Sequence, residues 1–85
     1  MVTGINSDID YNNKMFHVQT EDGGLNNPII LTRIFCSGVL ITTRKTSYVY
    51  LVEIEGWKSI VERLMKEQHD EMIQEIYRGN VMAQK

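Results

Sequence analysis

The chain has 85 residues, a formal net charge of -2 and 42% hydrophobic residues, a composition that is ordinary for a small globular protein. It argues against the fibrous and disordered classes. A chain of this length forms one domain, which buries only roughly 60% of the surface that the unfolded chain exposes. The acidic balance offers no general attraction to nucleic acid, so nucleic-acid binding is disfavoured.

The cysteine count and the hydropathy predict a soluble cytoplasmic protein. Cys36 is the one cysteine, which excludes an intramolecular disulfide and a multi-cysteine zinc site. The first residues are polar and acidic, unlike a signal peptide. The most apolar run, residues 28–43, is interrupted by Arg33 and Gly38 and is too short to span a membrane.

Residues 1–13 are rich in Gly, Ser, Asn and Asp, with scattered apolar residues. This composition predicts a poorly ordered N-terminal leader. A single domain is then expected over residues 14–80, followed by a frayed tail over residues 81–85.

The stretch FHVQTEDGG, residues 16–24, predicts an edge strand that runs into a turn. Phe16 and Val18 alternate with His17 and Gln19, which is the period of a half-buried strand. The octet EDGGLNNP that follows contains residues that tolerate or preset turns. The chain is therefore expected to reverse direction before Pro28.

Two further strands are predicted around a tight turn at Ser37-Gly38. Residues 28–36 and 39–48 are rich in β-branched and aromatic residues, and Gly38 stands where a primed hairpin turn needs glycine. A two-residue turn here sets an antiparallel register. The predicted pairs are Cys36 with Val39, Phe35 with Leu40, Ile34 with Ile41, and Arg33 with Thr42.

Both faces of this predicted sheet carry apolar side chains. One face holds Ile30, Ile34, Cys36, Val39 and Ile41. The candidate interface on the other face consists of Ile29, Leu31, Arg33, Phe35, Leu40 and Arg44. One helix can cover only one face, so the second face needs another cover. The simplest is a two-fold homodimer, through this outer face or through helix residues that the core does not use.

A long helix is predicted over residues 57–78. Apolar residues recur there at spacings of three and four, and Gly79-Asn80 is a good C-terminal stop. Residues 48–54 fit an extension of the third strand, a fourth strand or a lead into the helix. The fold class is therefore α+β: a three-stranded, possibly four-stranded, antiparallel β-meander packed by one long C-terminal helix.

The residues that could carry chemistry are few, and their spacing does not favour catalysis or metal binding. His17, His69 and Cys36 are far apart in sequence, without an HExxH or CxxC motif. Cys36, flanked by apolar residues in a hairpin, is typical of a small buried hydrophobe. We therefore predict no catalytic residue, no metal and no cofactor, and the histidines would serve as hydrogen-bonding or surface groups.

Arg33, Arg44 and Lys45 could form a basic patch beside Phe35, which would suit a weak single-stranded nucleic-acid binder. Eleven acidic residues in the chain stand against this alternative. Basic residues on outer strands also commonly discourage aggregation of sheet edges.

Two stretches, FHVQTEDGGLNNPIILT with the following SGVLITTRKTSY, and LMKEQHDEMIQEIYRGN, resemble a family of small uncharacterised bacterial proteins. Its pattern is an HVQTED strand, a turn to a proline, a hairpin ending in tyrosine and a helix with Gln-His. The resemblance implies one recurring domain without a known activity. It draws attention to a candidate polar cluster of His17, Gln19, Glu21, Asp22, Gln68 and His69, in which His17 and Gln19 would hydrogen-bond toward Gln68 or His69.

These observations together predict a homodimeric protein–protein interaction module without catalysis, whose protein partner is unknown. One alternative is a small-ligand or metal-binding protein that uses His17 and His69. The other is the weak single-strand binder that uses Arg33, Arg44 and Lys45.

Overall fold

The computed structural model describes residues 4–81, which form a four-stranded antiparallel sheet with one helix across one of its faces. The strands are β1 (Gly4–Tyr11), β2 (Lys14–Asp22), β3 (Ile29–Cys36) and β4 (Val39–Ser47), side by side in that order. The helix is α1 (Trp57–Tyr77). The predicted α+β fold, with its antiparallel meander and long C-terminal helix, is confirmed.

The strand added to the three predicted ones is β1, at the N-terminal end of the described residues. The prediction of a disordered leader is therefore wrong for residues 4–11. In β1 the side chains of Ile5, Ser7 and Ile9 alternate with exposed Asn and Asp side chains. Asn12 and Asn13 both have positive φ, 55° and 63°, which gives a tight hairpin turn into β2. The asparagines thus serve a turn rather than disorder, and β2 becomes an interior strand instead of an edge. Residues 1–3 lie outside the described residues.

Residues 48–54, which were a candidate for an additional strand, do not form one. Val49–Leu51 is a single 3₁₀ turn that reverses the chain between the sheet and α1. Tyr48 is fully buried before this turn, and its ring stacks on Trp57 with centroids 6.0 Å apart. This contact fixes the start of the helix against the end of β4.

The hairpin at Ser37-Gly38 has the predicted turn, but the predicted register holds for only the first two residue pairs. Ser37 and Gly38 have φ of 53° and 83°, and the pairs Cys36 with Val39 and Phe35 with Leu40 form as predicted. A β-bulge then intervenes, so that Ile34 pairs with Thr42 and Arg33 with Thr43. The predicted pairs of Ile34 with Ile41 and Arg33 with Thr42 are therefore wrong.

The bulge also moves Arg44 to the other side of the sheet. Arg44 pairs with buried Thr32, so its side chain lies on the helix side, where it contacts Glu71. The prediction that Arg44 belongs to the outer face is wrong, because one extra residue reverses the facing of every later residue in the strand.

The core lies between the sheet and α1 and consists of two apolar clusters. The first contains Ile9, Phe16, Val18, Ile34, Met72, Ile76 and Val81. The second contains Ile30, Tyr48, Leu51, Val61 and Met65. The apolar positions of α1 recur every three or four residues, so one stripe of the helix serves both clusters.

The C-terminal end of α1 folds back onto the core. The Gly79 amide donates to the Ile76 carbonyl and the Asn80 amide to the Glu75 carbonyl, which closes the helix as predicted. Val81 is buried in the first cluster, so the predicted frayed tail does not begin at this residue. Residues 82–85 lie outside the described residues. Within the part of the chain that is described, α1 lacks the apolar length needed to cross a bilayer.

A Gly23→Ala variant should unfold with a free energy about 1 to 3 kcal/mol lower than that of the wild type. A Cβ atom at residue 23 would lie 2.2 Å from the carbonyl oxygen of Asn27, so the turn between β2 and β3 would have to shift. Urea unfolding measures the loss. Asn26→Ala, at an exposed position in the same turn, is the control and should change the stability by less than about 0.5 kcal/mol. Equal stability of the two variants would contradict the prediction.

Candidate functional site

A row of hydrogen-bonded polar side chains, four of them buried, separates the two apolar clusters, and we call it the polar seam. Each strand contributes one hydroxyl group, and α1 contributes two adjacent side chains. The polar seam consists of Ser7, Thr20, Thr32, Thr46, Gln68 and His69. It connects the four strands to the helix through side-chain hydrogen bonds.

Gln68 joins β3 and β4 to the helix. Its Nε2 donates to the Thr32 hydroxyl at 2.9 Å and makes longer contacts with the carbonyl oxygens of Ile30 and Arg44, at 3.4 and 3.3 Å. Its Oε1 accepts a hydrogen bond from the Thr46 hydroxyl at 2.5 Å. The amide therefore has donors and acceptors matched on both sides, which fixes its orientation.

His69 joins β1 and β2 to the helix and is only 3% exposed. Its Nε2 lies 2.8 Å from Ser7 Oγ, and its Nδ1 lies 2.8 Å from Thr20 Oγ1. Burial lowers the pKa of His69 below the usual 6.5, and the charge of neighbouring Asp70 only partly opposes this effect. The imidazole is therefore neutral at pH 7.

The direction of the hydrogen bonds follows from Gln68. The Thr32 hydroxyl accepts from Gln68 and lies 2.7 Å from Thr20 Oγ1, so its own hydrogen is available to Thr20. Thr20 then donates to Nδ1 of His69, and Nε2 carries the ring hydrogen toward Ser7. We assign this tautomer because it gives every hydrogen along the path from Gln68 to Ser7 Oγ a separate acceptor.

Among residues 4–81, every buried side-chain nitrogen or oxygen has a hydrogen-bond partner. The polar seam is therefore internally satisfied, and its main effect is to fix where α1 lies across the sheet. Sequence reasoning identified Gln68 and His69 but missed Ser7, Thr32 and Thr46. The available signal was a hydroxyl residue at an inward strand position between apolar ones, as in Ile30-x-Thr32-x-Ile34.

The predicted polar cluster is not one site, because the sheet separates its members. The outer face, away from α1, carries His17, Gln19 and Glu21. Gln68 and His69 are buried on the side of α1 that packs on the opposite face of the sheet. Phe16 and Val18 face the core, so the residue between them must face outward. The predicted hydrogen bonds from His17 and Gln19 to the helix are therefore wrong.

The outer-face members have partners of their own. His17 Nδ1 lies 2.7 Å from the Asp8 carboxylate, and the His17 ring is 6.4 Å from that of Phe35. Arg33 donates to Glu21 at 3.4 Å. These partly exposed polar pairs frame the apolar part of the face.

Asp22, the remaining member, belongs to the turn after β2. Its carboxylate accepts hydrogen bonds from the Gly24 amide at 2.9 Å and from the Tyr48 hydroxyl at 2.5 Å. Burial, reinforced by Asp22, raises the pKa of Tyr48 to about 12. Asp22 therefore ties the turn to the end of β4.

The outer face contains five of the six predicted interface residues, all except Arg44. Ile29, Leu31, Arg33 and Phe35 are half-buried there, and Leu40 is 48% exposed. Met15 joins them at 52% exposure. A shallow hollow of about 360 Å³ is lined by Met15, His17, Gln19, Phe35, Ser37 and Gly38.

The predicted basic patch does not form. Arg33 and Lys45 are on the outer face, whereas Arg44 is on the helix side of the sheet with Glu71. Cys36 is half-buried against the first apolar cluster, in agreement with its prediction as a hydrophobe. Within residues 4–81, no three His, Cys, Asp or Glu side chains are grouped so that they could hold a metal ion.

This chain matches no known protein-family model, no curated protein and no solved structure. The resemblance to the HVQTED family therefore stays a prediction.

Proposed function

We propose that this protein is an interaction module without catalysis that forms a two-fold homodimer through the outer face of its sheet. The observation that carries the proposal is the uncovered apolar surface of Met15, Phe35 and Leu40, with Leu31 on the same face beyond Arg33. Soluble monomers rarely leave a contiguous apolar patch of this kind without a partner. An antiparallel sheet also commonly packs a second face against another sheet.

The size of the face is sufficient for a dimer. Four strands of eight or nine residues span a flat area of roughly 500 Å² per copy, or about 1,000 Å² for two copies. A specific interface needs about 1,000 Å². Side chains that stand out from the sheet add to this area.

The charges on the face suit a second copy. Asp8 and Asp10 lie on the outer side of β1, and Lys45 lies on the outer side of β4. A two-fold axis parallel to the strands places β1 of each copy over β4 of the other. The acidic β1 strands of the two copies are then kept apart, which favours this pairing over one that superimposes like strands.

The purified protein should have a solution mass of twice 9.9 kDa in light scattering over a dilution series. A Phe35→Arg variant should weaken the dimer by about 30-fold or more, because it places a charge at the centre of the apolar face. Circular dichroism establishes that the variant is folded. Leu40→Arg, at a more exposed position of the same face, should have the same effect.

Leu25→Arg is the matched control, since Leu25 is 62% exposed in the turn between β2 and β3. This variant should stay dimeric. A wild-type mass of one chain at every concentration would overturn the proposal. Dissociation of the control as readily as that of Phe35→Arg would place the interface elsewhere.

A further inference from the structure

The helix side of the sheet also has an uncovered part, a groove between β4 and α1. The helix packs mainly on β1, β2 and β3, so β4 extends beyond it. Thr42, Arg44 and Thr46 of β4 project to this side, beside the flank of α1. The groove consists of two hollows of about 160 and 200 Å³, with the 3.0 Å contact of Arg44 and Glu71 between them.

The dimensions of the groove match a second helix. Neighbouring strands are about 4.8 Å apart, so β4 lies about 10 Å to the side of β2. Packed helices have axes about 8 to 10 Å apart. A helix placed beside α1 would therefore lie over β4, and a four-stranded sheet has room for two helices where residues 4–81 provide only α1.

The lining of the groove defines the chemistry of its occupant. Leu64 of α1 and Ile41 of β4, both half-buried, supply apolar contacts. Glu67, Glu71 and Glu75 recur every four residues along the same flank of α1 and line the groove. Each also contacts an arginine of the same chain, but exposed ion pairs of this kind are weak, so a basic occupant can compete for the carboxylates. An apolar stripe bordered by basic residues is complementary to this surface.

A second copy of α1 does not have this character. Its apolar stripe already packs on its own sheet, and its exposed side carries Arg63, Glu67, Asp70 and Gln74. A second copy of α1 is therefore not the occupant.

We propose that the groove between β4 and α1 binds a cationic amphipathic helix of a partner protein. The helix lies beside α1 with its apolar stripe on Ile41 and Leu64 and its basic flank toward the glutamates. This groove and the outer face are on opposite sides of the sheet, so a dimer would present two grooves. The proposal does not depend on the dimer, since one chain supplies the whole groove.

The test uses two fluorescein-labelled model peptides, LKKLLKLLKKLLKL-amide and its anionic counterpart LEELLELLEELLEL-amide, titrated with the full chain. Fluorescence anisotropy measures affinity, and amide chemical shifts of the ¹⁵N-labelled protein locate the peptide. The cationic peptide should bind, with the largest shifts at Ile41, Thr46 and Leu64. The anionic peptide should bind at least about tenfold more weakly.

Two kinds of variant separate the groove from general charge attraction. Glu67→Lys with Glu71→Lys should lower the affinity for the cationic peptide by about tenfold or more. Glu55→Lys with Asp70→Lys, an equal charge change outside the groove, should lower this affinity by less than about threefold. Thr42→Trp should also weaken binding, because it fills one hollow without changing the charge. No binding, equal binding of the two peptides, equal loss in both double variants, or shifts on the outer face would each overturn the proposal.

Discussion

A Gln68→Leu variant should unfold with a free energy about 2 to 3 kcal/mol lower than that of the wild type, although leucine nearly fills the same volume. The change removes the donor to Thr32 and the acceptor for Thr46, together with the two longer contacts to backbone carbonyls. A buried polar group that loses its partner costs about 1 to 3 kcal/mol. Urea unfolding followed by circular dichroism measures the difference.

Two further variants show whether the hydrogen bonds cause this loss. Gln74→Leu makes the same change on the exposed side of α1 and should alter stability by less than about 0.5 kcal/mol. Adding Thr32→Val to Gln68→Leu removes both partners of one hydrogen bond. The double variant should therefore lose at least about 0.5 kcal/mol less than the sum of the two single losses. Simple additivity would mean that the two side chains act independently.

The polar seam explains why so thin a core can hold the helix in one position. The two apolar clusters are non-directional and would tolerate small shifts of α1 along the sheet. Gln68 and His69, in contrast, meet hydroxyl groups on all four strands at fixed distances. A shift of the helix by one residue would leave several buried polar groups without partners.

The helix and the hairpin turn between β3 and β4 could be predicted from the sequence because each depends on local information. The apolar spacing of α1 and the turn residues Ser37-Gly38 act over a few neighbouring residues, and both were placed correctly. The β-bulge in β4 was not predictable in this way. It leaves no mark in composition, and it decides on which side Arg44 lies.

Strand β1 was missed for a different physical reason. Its outward residues Asn6, Asp8 and Asp10 give the segment the composition of a disordered leader. Its inward residues Ile5, Ser7 and Ile9 gain stability only from contacts with β2 and α1. Of these two elements, α1 is distant in sequence. Polar composition therefore outweighed the alternation in the prediction.

The separation of His17 from His69 could have been deduced from the sequence alone. His17 lies between Phe16 and Val18, whose side chains must enter the core, so strand alternation directs His17 outward. Thr20, two residues beyond Val18, shares the inward face and contacts His69 in its place. Strand alternation is therefore a better guide to the position of His17 than the resemblance to the HVQTED family.

The protein should lose stability as the pH falls below about 6.5, and His69 should account for the loss. Burial lowers the pKa of His69 in the folded state, whereas the unfolded chain binds a proton near pH 6.5. Below that pH the unfolded state holds more protons than the folded state, so the free energy of unfolding decreases with falling pH. The slope reaches at most about 1.4 kcal/mol per pH unit until the lowered pKa of the folded state is passed. Urea unfolding at pH 7.5, 6.5 and 5.5 measures it.

The polar seam gives this pH dependence its structural cause. A protonated imidazole needs an acceptor at Nδ1, where Thr20 donates in the assigned arrangement. Thr20 would have to turn its hydrogen toward Thr32, which already accepts from Gln68, so the hydrogen of Thr32 would lose its acceptor in the seam. His69→Gln, which cannot be protonated, should be less stable at pH 7.5 but nearly independent of pH over this range. A slope that persists in His69→Gln would assign the acid sensitivity to another group.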